Sequence, residues 1–367
     1  MGTATSMTSK ERWLAAIRMA PVDRLPFWPK LDAAYPHWRT GRFAGKSNDE
    51  IHDFIGSDKH VGINRCFREV RSSTSVENIR EENTETIFYT TPRGRMRSIR
   101  RFDVPSQAWH PIEYPIKTLD DVRRMREVYE DCKVELDGVE LEKGRARVKE
   151  VGQSACVNQC IATTPLMWFV EHFAGVENAH LFLADYTEEV EAFFEAMHRV
   201  ICRKAEISAE HSPADMFYMI ENTSTSLISP SQFRQYCMPQ LRAVTDIVNA
   251  HNRLMVYHMC GLLKDVLPDI ATLGAAGIEA FTAPTLGNTT LLDGRTACPD
   301  KCLIGGTQAV HWTKPANEII AKIDEALDPL PHHRGIVVTS AGVMPPLCEP
   351  ETIKTVCEWV KAYPARM

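Results

Sequence analysis

Leu254-Met255-Val256-Tyr257 is an apolar run that stops abruptly at His258-Met259-Cys260-Gly261. Four apolar residues without an alternating polar position read as a strand covered on both faces, as in a parallel sheet wrapped by helices. Helical periodicity flanks the run at 230 to about 249 upstream and at 262–273 downstream. The same unit repeats outward. Strand-like 150–157, Met216–Ile220, Gly277–Phe281, 302–304 and 335–339 alternate with helical 165–173, 176–184, Thr187–His211, 315–327 and 350–362. Seven or eight such βαβ units favour a closed (β/α)8 TIM barrel over an open sheet. No G-x-G-x-x-G follows the first strand, so nothing points to a dinucleotide fold.

The first third is elaborated. Residues 8–18, TSKERWLAAIR, predict an amphipathic helix capped by Thr8 or Ser9 with Glu11 near its third position. RLPFWPKL then reads as a first buried strand near 25–31, followed by a helix over Asn48–Ile55 and a second strand near 59–64. The stretch TETIFYTTPRGRMRSIRRF, ending at Phe102, places two β-prone runs around Pro92-Arg93-Gly94, a hairpin signal. Helices are expected at 119–128, opened by Thr118, and at 134–148. The block 66–148 therefore reads as an insertion between barrel strands, within a single domain spanning 1–367.

Composition narrows the function. With 42 Lys plus Arg against 48 Asp plus Glu, the net charge of −6 disfavours a nucleic-acid binder, which needs clustered cations. The densest basic stretch, Arg93, Arg95, Arg97, Arg100 and Arg101, reads first as a solvated hairpin face, with an anion site as the minority reading. No apolar stretch approaches the roughly 18 residues of a membrane span. The N-terminus shows no secretory h-region, and Met1-Gly2 followed by Ser6 fits a myristoylation pattern only loosely. Eleven cysteines, odd in number and widely spread, read as reduced thiols of a cytoplasmic protein.

In such a barrel the chemistry sits at the C-terminal strand ends. His258 and Cys260 follow one strand, Glu221 and Asn222 another, and Ser340-Ala341-Gly342 a third, with Cys348 a few residues on. In an extended segment residues i and i+2 point the same way, so His258 and Cys260 are placed to grip one ion. Imidazole and thiolate are zinc donors, and catalytic zinc has three protein ligands and an open position. Either Cys348 or Glu221 completes the three, with Cys298 and Cys302 as rivals. Alone, a His-x-Cys pair is more often a packed strand end; its place after a strand, with further ligand types at neighbouring strand ends, puts the metal reading level with that one. Glu221 and His258 are the catalytic candidates. Trp28, Tyr35, Asn158, Asn222, Tyr257 and Gln308 are expected to contact substrate, although aromatic residues near a first strand are usually core.

Several segments resemble the uroporphyrinogen decarboxylase superfamily. They are KERWLAAIRMAPVDRLPFWPK with its Asp-Arg-x-Pro step, IKTLDDVRRM, Ile228-Ser229-Pro230-Ser231-Gln232-Phe233, the HMCG segment and the closing GIVVTSAG. The resemblance implies a (β/α)8 barrel with its site at the C-terminal face. The family's true decarboxylases carry an arginine-rich segment after the first strand, resembling Met-Arg-Gln-Ala-Gly-Arg. Here that place holds Pro29-Lys30-Leu31-Asp32 with no arginine before Arg39, which counts against decarboxylation. The methyltransferase branch carries His-x-Cys and a distal Cys, binds zinc and exchanges a methyl group with cobalamin on a separate corrinoid protein. His258 and Cys260 match; the distal position holds Val343, leaving Cys348 or Glu221 for the third ligand. The resemblance thus implies a zinc methyltransferase with a corrinoid partner and a small substrate, the mouth aromatics suggesting O-demethylation of a methoxylated aromatic. A cofactor-free decarboxylase of a tetrapyrrole and a non-catalytic tetrapyrrole- or partner-binding barrel remain the alternatives. A homodimer is compatible with each.

Overall fold

Parallel strands with apolar side chains on both faces must be covered twice, and the computed structural model does this by closing the sheet on itself. It describes residues 6–32 and 34–367; the start that carries the signal-peptide and myristoylation readings lies largely outside them. The barrel strands are β1 (Phe27–Trp28), β2 (Lys59–Ile63), β3 (Ala155–Ala162), β4 (Met216–Ile220), β5 (Leu254–His258), β6 (Gly277–Phe281), β7 (Cys302–Gly306) and β8 (Ile336–Thr339). Each pairs in parallel with its neighbour from β2 through β8, and β8 pairs with β1. Between β1 and β2 the Asp58 N–H donates to the Phe27 carbonyl at 2.8 Å, bridging the seam.

The period of two sorts the walls. Phe217, Met219, Met255, Tyr257 and Leu303 point outward into the large core shared with the helices. Trp28, Met216, Tyr218, Val256, Ile304 and Val337 fill the barrel interior. Helix Ser9–Ile17 closes the end from which the strands start, placing Trp13, Ala16 and Ile17 against that interior layer. Its cap is Thr8, with Glu11 returning the bond, as the sequence predicts.

The Asp-Arg-x-Pro step acquires a structural role. Asp58, 1% exposed, accepts from Arg12 Nη1 at 2.6 Å, Arg24 Nη1 at 2.7 Å and the Phe27 N–H at 3.0 Å. Arg12 also donates to Asp23 Oδ1 at 2.7 Å. Four buried or half-buried charges thereby tie the end-closing helix to the barrel seam.

The insertion is more strand-rich than its sequence suggests. Ser75–Glu81, Thr84–Thr91, Gly94–Asp103 and Ala108–Glu113 form a four-stranded antiparallel sheet, with Thr91 opposite Gly94 across the expected Pro92-Arg93 turn. Its arginines are largely paired: Arg93 with Asp120 and Glu127, Arg95 with Glu77, Arg97 with Glu113, Arg100 with Glu85. This is the solvated face rather than an anion site. Helix Leu119–Glu130 is capped by Thr118. The expected helix at 134–148 is corrected. Lys133–Leu136 is a strand pairing with Phe67–Val70, and the helix is Gly138–Val151 behind an Asp137 cap. The expected strand at 150–157 likewise begins only at Ala155, because 150 and 151 end that helix. The expected helix at 262–273 shrinks to Leu267–Ala271, which leaves a loop after Gly261.

Candidate functional site

His258 ends β5 with its side chain facing the barrel interior, and directly beside it in the register stands Glu279 of β6. The Glu279 carboxylate, 2% exposed, binds His258 Nδ1 through Oε2 and Lys30 Nζ through Oε1, the latter at 2.9 Å. Burial opposes charge on both partners, yet each ion offsets it for the other. The His258 imidazole is held up to about 9, against its own burial, by Glu279 and Cys260. Glu279 is likewise brought down to about 2, against its own burial, by Lys30 and His258. A carboxylate on Nδ1 fixes the ring orientation and leaves Nε2 as the free nitrogen, the usual support behind a metal-binding histidine. A positive φ of 61° at Ala280, with a register shift between Glu279 and Phe281, marks a bulge immediately after this carboxylate. Bulges of this kind re-aim side chains at barrel rims.

Cys260 is exposed and lies two residues past His258, just beyond the end of β5. Its thiol donates to Asn222 Oδ1 at 3.6 Å, and Asn222 Nδ2 donates to Glu171 Oε2 at 3.1 Å. Asn222 sits at φ 45°, a left-handed turn that asparagine tolerates and that bends the chain over the mouth after β4. Glu221 N–H and Asn222 N–H both donate to the His258 carbonyl, at 2.9 and 3.1 Å, locking the two strand ends together. Gly261 is required by this crowding: a Cβ there would stand 2.3 Å from Ser224 Cβ and 2.4 Å from the Thr223 carbonyl.

The expected residues thus divide. His258, Cys260 and Asn222 meet at the mouth. Glu221 does not: one residue beyond the inward Ile220, it points outward, taking the Thr164 N–H and hydroxyl at 2.7 Å each. Burial raises its carboxyl to about 7 against those two donors. Cys348 does not either; it is 3% exposed in the outer core, burial pushes its thiol up to about 12, and its carbonyl accepts from Tyr35 Oη at 2.6 Å. Tyr35 is accordingly core, and so is Tyr257, whose hydroxyl meets Thr245 Oγ1 at 2.5 Å on the outer face. Asn158 lies inside the barrel 3.3 Å from His60 Nδ1, and Trp28 packs on the same ring at 4.6 Å as floor. Gln308 donates to the Pro284 carbonyl at 2.6 Å in a separate lateral cavity with His311. Cys298 and Cys302 are buried in the outer and inner cores respectively.

Sequence reading missed Glu279, Lys30 as its partner, and Glu171. Glu279 carried a signal: a carboxylate inside the apolar strand GIEAF, at the inward parity, needs a buried partner. Among the described residues no three His, Cys, Asp or Glu side chains already converge on one point. The donor set nevertheless fits a soft, borderline ion: one oriented imidazole, one adjacent exposed thiol, and the oxygens of the Asn222–Glu171 pair beside them.

Comparison with known proteins agrees with this architecture. Residues 111–363 match the family described as uroporphyrinogen decarboxylase (URO-D). Over 115 residues the chain is 26% identical to the methylated-thiol–coenzyme M methyltransferase of Methanosarcina mazei. That match spans 31% of this chain and only 30% of the relative's length. A solved methyltransferase structure from Methanosarcina mazei superposes over 97% of this chain and 99% of its own, with a TM-score of 0.60 at 16% identity, a likeness of fold.

Proposed function

We propose, from the premise that the chain belongs to the uroporphyrinogen decarboxylase family, that it is a zinc-dependent methyltransferase serving a separate corrinoid protein. The observation that carries the reading is the His258–Cys260 pair at the open end of the barrel, backed by Glu279 on Nδ1. His258 and Cys260 would hold the ion, with Asn222 and Glu171 supplying the nearest oxygens. Bound zinc would supply Lewis acidity to the oxygen from which a methyl group leaves, while Co(I) of the partner's corrinoid would supply the electron pair that accepts it. The donor's oxygen keeps the electrons of its broken C–O bond. Glu279 holds the imidazole in one orientation and keeps negative charge behind it. The substrate we favour is a small methoxylated aromatic, with the chain acting as an O-demethylase.

Decarboxylation of a multiply carboxylated tetrapyrrole is less well supported by the cations present. Lys30 is committed to Glu279, and Arg39 donates to the carbonyls of Tyr35 and Cys348 at 3.1 and 3.2 Å. Neither is free for a substrate carboxylate.

Elemental analysis of the purified chain is expected to find about one zinc per chain, and His258→Ala to lose both the metal and methyl transfer to a corrinoid protein. A zinc-free chain whose methyl transfer survives that substitution would end the reading. Glu279→Gln should retain the ion about 10- to 100-fold more weakly in competition with a chelator, because the orienting negative charge is gone. Unchanged retention would remove Glu279 from the site.

A further inference from the structure

The site at the barrel mouth uses neither Gln308 nor His311, although both follow β7 within a few residues. They line a lateral cavity of about 420 Å³ against helices Leu291–Ala297 and Ala316–Leu327. Much of its wall is aliphatic, from Ala283, Leu291, Leu292, Ala326 and Pro329. Gly306, at φ 95°, lies directly against that wall: a Cβ there would stand 2.7 Å from Leu291 Cδ1. Lys322 and Glu325 are the acid and base among the lining residues, and they bind each other at 2.6 Å with 51% and 69% of their side chains exposed. The sheltered part of the cavity is therefore uncharged.

Two polar groups in this lining lack partners. Gln308 is 4% exposed, and its Nε2 donates to the Pro284 carbonyl at 2.6 Å and to His311 Nε2 at 3.2 Å. The Pro284 carbonyl fixes which end of the amide is nitrogen, and an amide nitrogen only donates. His311 Nε2 must accept, so the neutral ring carries its proton on Nδ1. Burial and the nearby Lys322 both push this imidazole below its usual range, in keeping with that neutral form. Gln308 Oε1 and His311 Nδ1 are left buried, without a hydrogen-bond partner among the described residues. One is an acceptor short of a donor; the other is a donor short of an acceptor. A ligand that offers the complement of both recovers the cost of leaving them unmet.

We infer that this cavity binds a small neutral ligand with a cis-amide edge, such as a lactam, whose N–H donates to Gln308 Oε1 and whose carbonyl accepts from His311 Nδ1–H. A carboxylate offers Gln308 no donor, and it would bring a charge that nothing in the sheltered part answers. An ester or an ether lacks the donor as well. An aliphatic ring suits walls of leucine, alanine and proline, and the volume falls in the ordinary range of small-molecule sites. The inference is independent of the metal pair and holds whether or not the chain transfers a methyl group.

The test is a ligand-observed NMR titration of the full chain with 2-piperidone, set against N-methyl-2-piperidone, which keeps the ring and carbonyl but has no N–H. The first lactam should bind about tenfold more tightly than the second. His311→Phe keeps a ring in place and removes the donor, and should weaken 2-piperidone about tenfold. Ala326→Leu adds bulk to the wall, changes no polar group and should abolish binding of both lactams. His258→Ala, at the mouth, should change neither affinity. Equal affinity for the two lactams, no saturable binding of either, or a His311→Phe chain that binds 2-piperidone as before would overturn the inference. So would binding lost with His258→Ala, which would put the ligand at the mouth instead. The comparison of the two lactams on the parent chain decides the matter even where a variant does not fold.

Discussion

Asp58→Ala is expected to destabilise the folded chain by about 3–5 kcal/mol, the usual cost of removing one partner from a buried ion network. The carboxylate is 1% exposed and accepts from Arg12, Arg24 and the Phe27 N–H. Its loss would leave Arg12, itself 3% exposed, with Asp23 as its remaining carboxylate partner. The backbone donor of Phe27 would lose its acceptor beside the barrel seam as well. Urea unfolding midpoints measure the effect. As a comparison, Arg42→Ala breaks an ion pair whose side chains are 61% and 51% exposed, and should cost under about 1 kcal/mol. An Asp58 variant no less stable than the Arg42 variant would refute the network's role in closing the barrel.

The second large effect is a change in the pH profile. Glu221 is buried, and burial raises its carboxyl from 4.5 to about 7. The folded chain therefore holds this proton more tightly than the unfolded chain does. Stability that is complete below pH 4.5 is lost as pH rises, and the loss levels off above about 7. The difference amounts to about 3 kcal/mol across that interval. Glu221→Gln keeps an oxygen for the Thr164 N–H and offers an amide to its hydroxyl, with nothing to ionise. The variant should be more stable than the parent at pH 8 by most of that amount and close to it at pH 4.5. Parallel profiles for the two proteins would show that the carboxyl is ionised when folded, or that it is not buried as described.

The same residue shows how sequence and fold share the information. Glu221 follows a strand, and strand ends carry the chemistry of a barrel, so sequence position alone made it a ligand candidate. Parity decided otherwise: Tyr218 and Ile220 face inward, and Glu221 therefore faces the helices. Cys348 failed for a different reason. Its distance from β8 in the sequence looked short enough for a shifted loop, but Tyr35 and Arg39 bind its carbonyl, and its thiol packs in the outer core.

Periodicity alone determined a parallel sheet covered on both faces, and the number of its units favoured closing that sheet into a barrel. Apolar runs at Met216–Ile220, Leu254–His258 and Gly277–Phe281 cannot be satisfied except in a sheet covered on both faces, and the helices between them supply the cover. The i, i+2 rule likewise placed His258 beside Cys260 before any coordinates, because both lie on one short extended segment. Only the tertiary structure decided what stands behind and around them. Glu279, Lys30 and Glu171 come from three other elements, 249 residues apart at the extreme between Lys30 and Glu279. Strand register and loop direction bring such groups together, and both are set by packing across the whole closed sheet rather than by any local pattern.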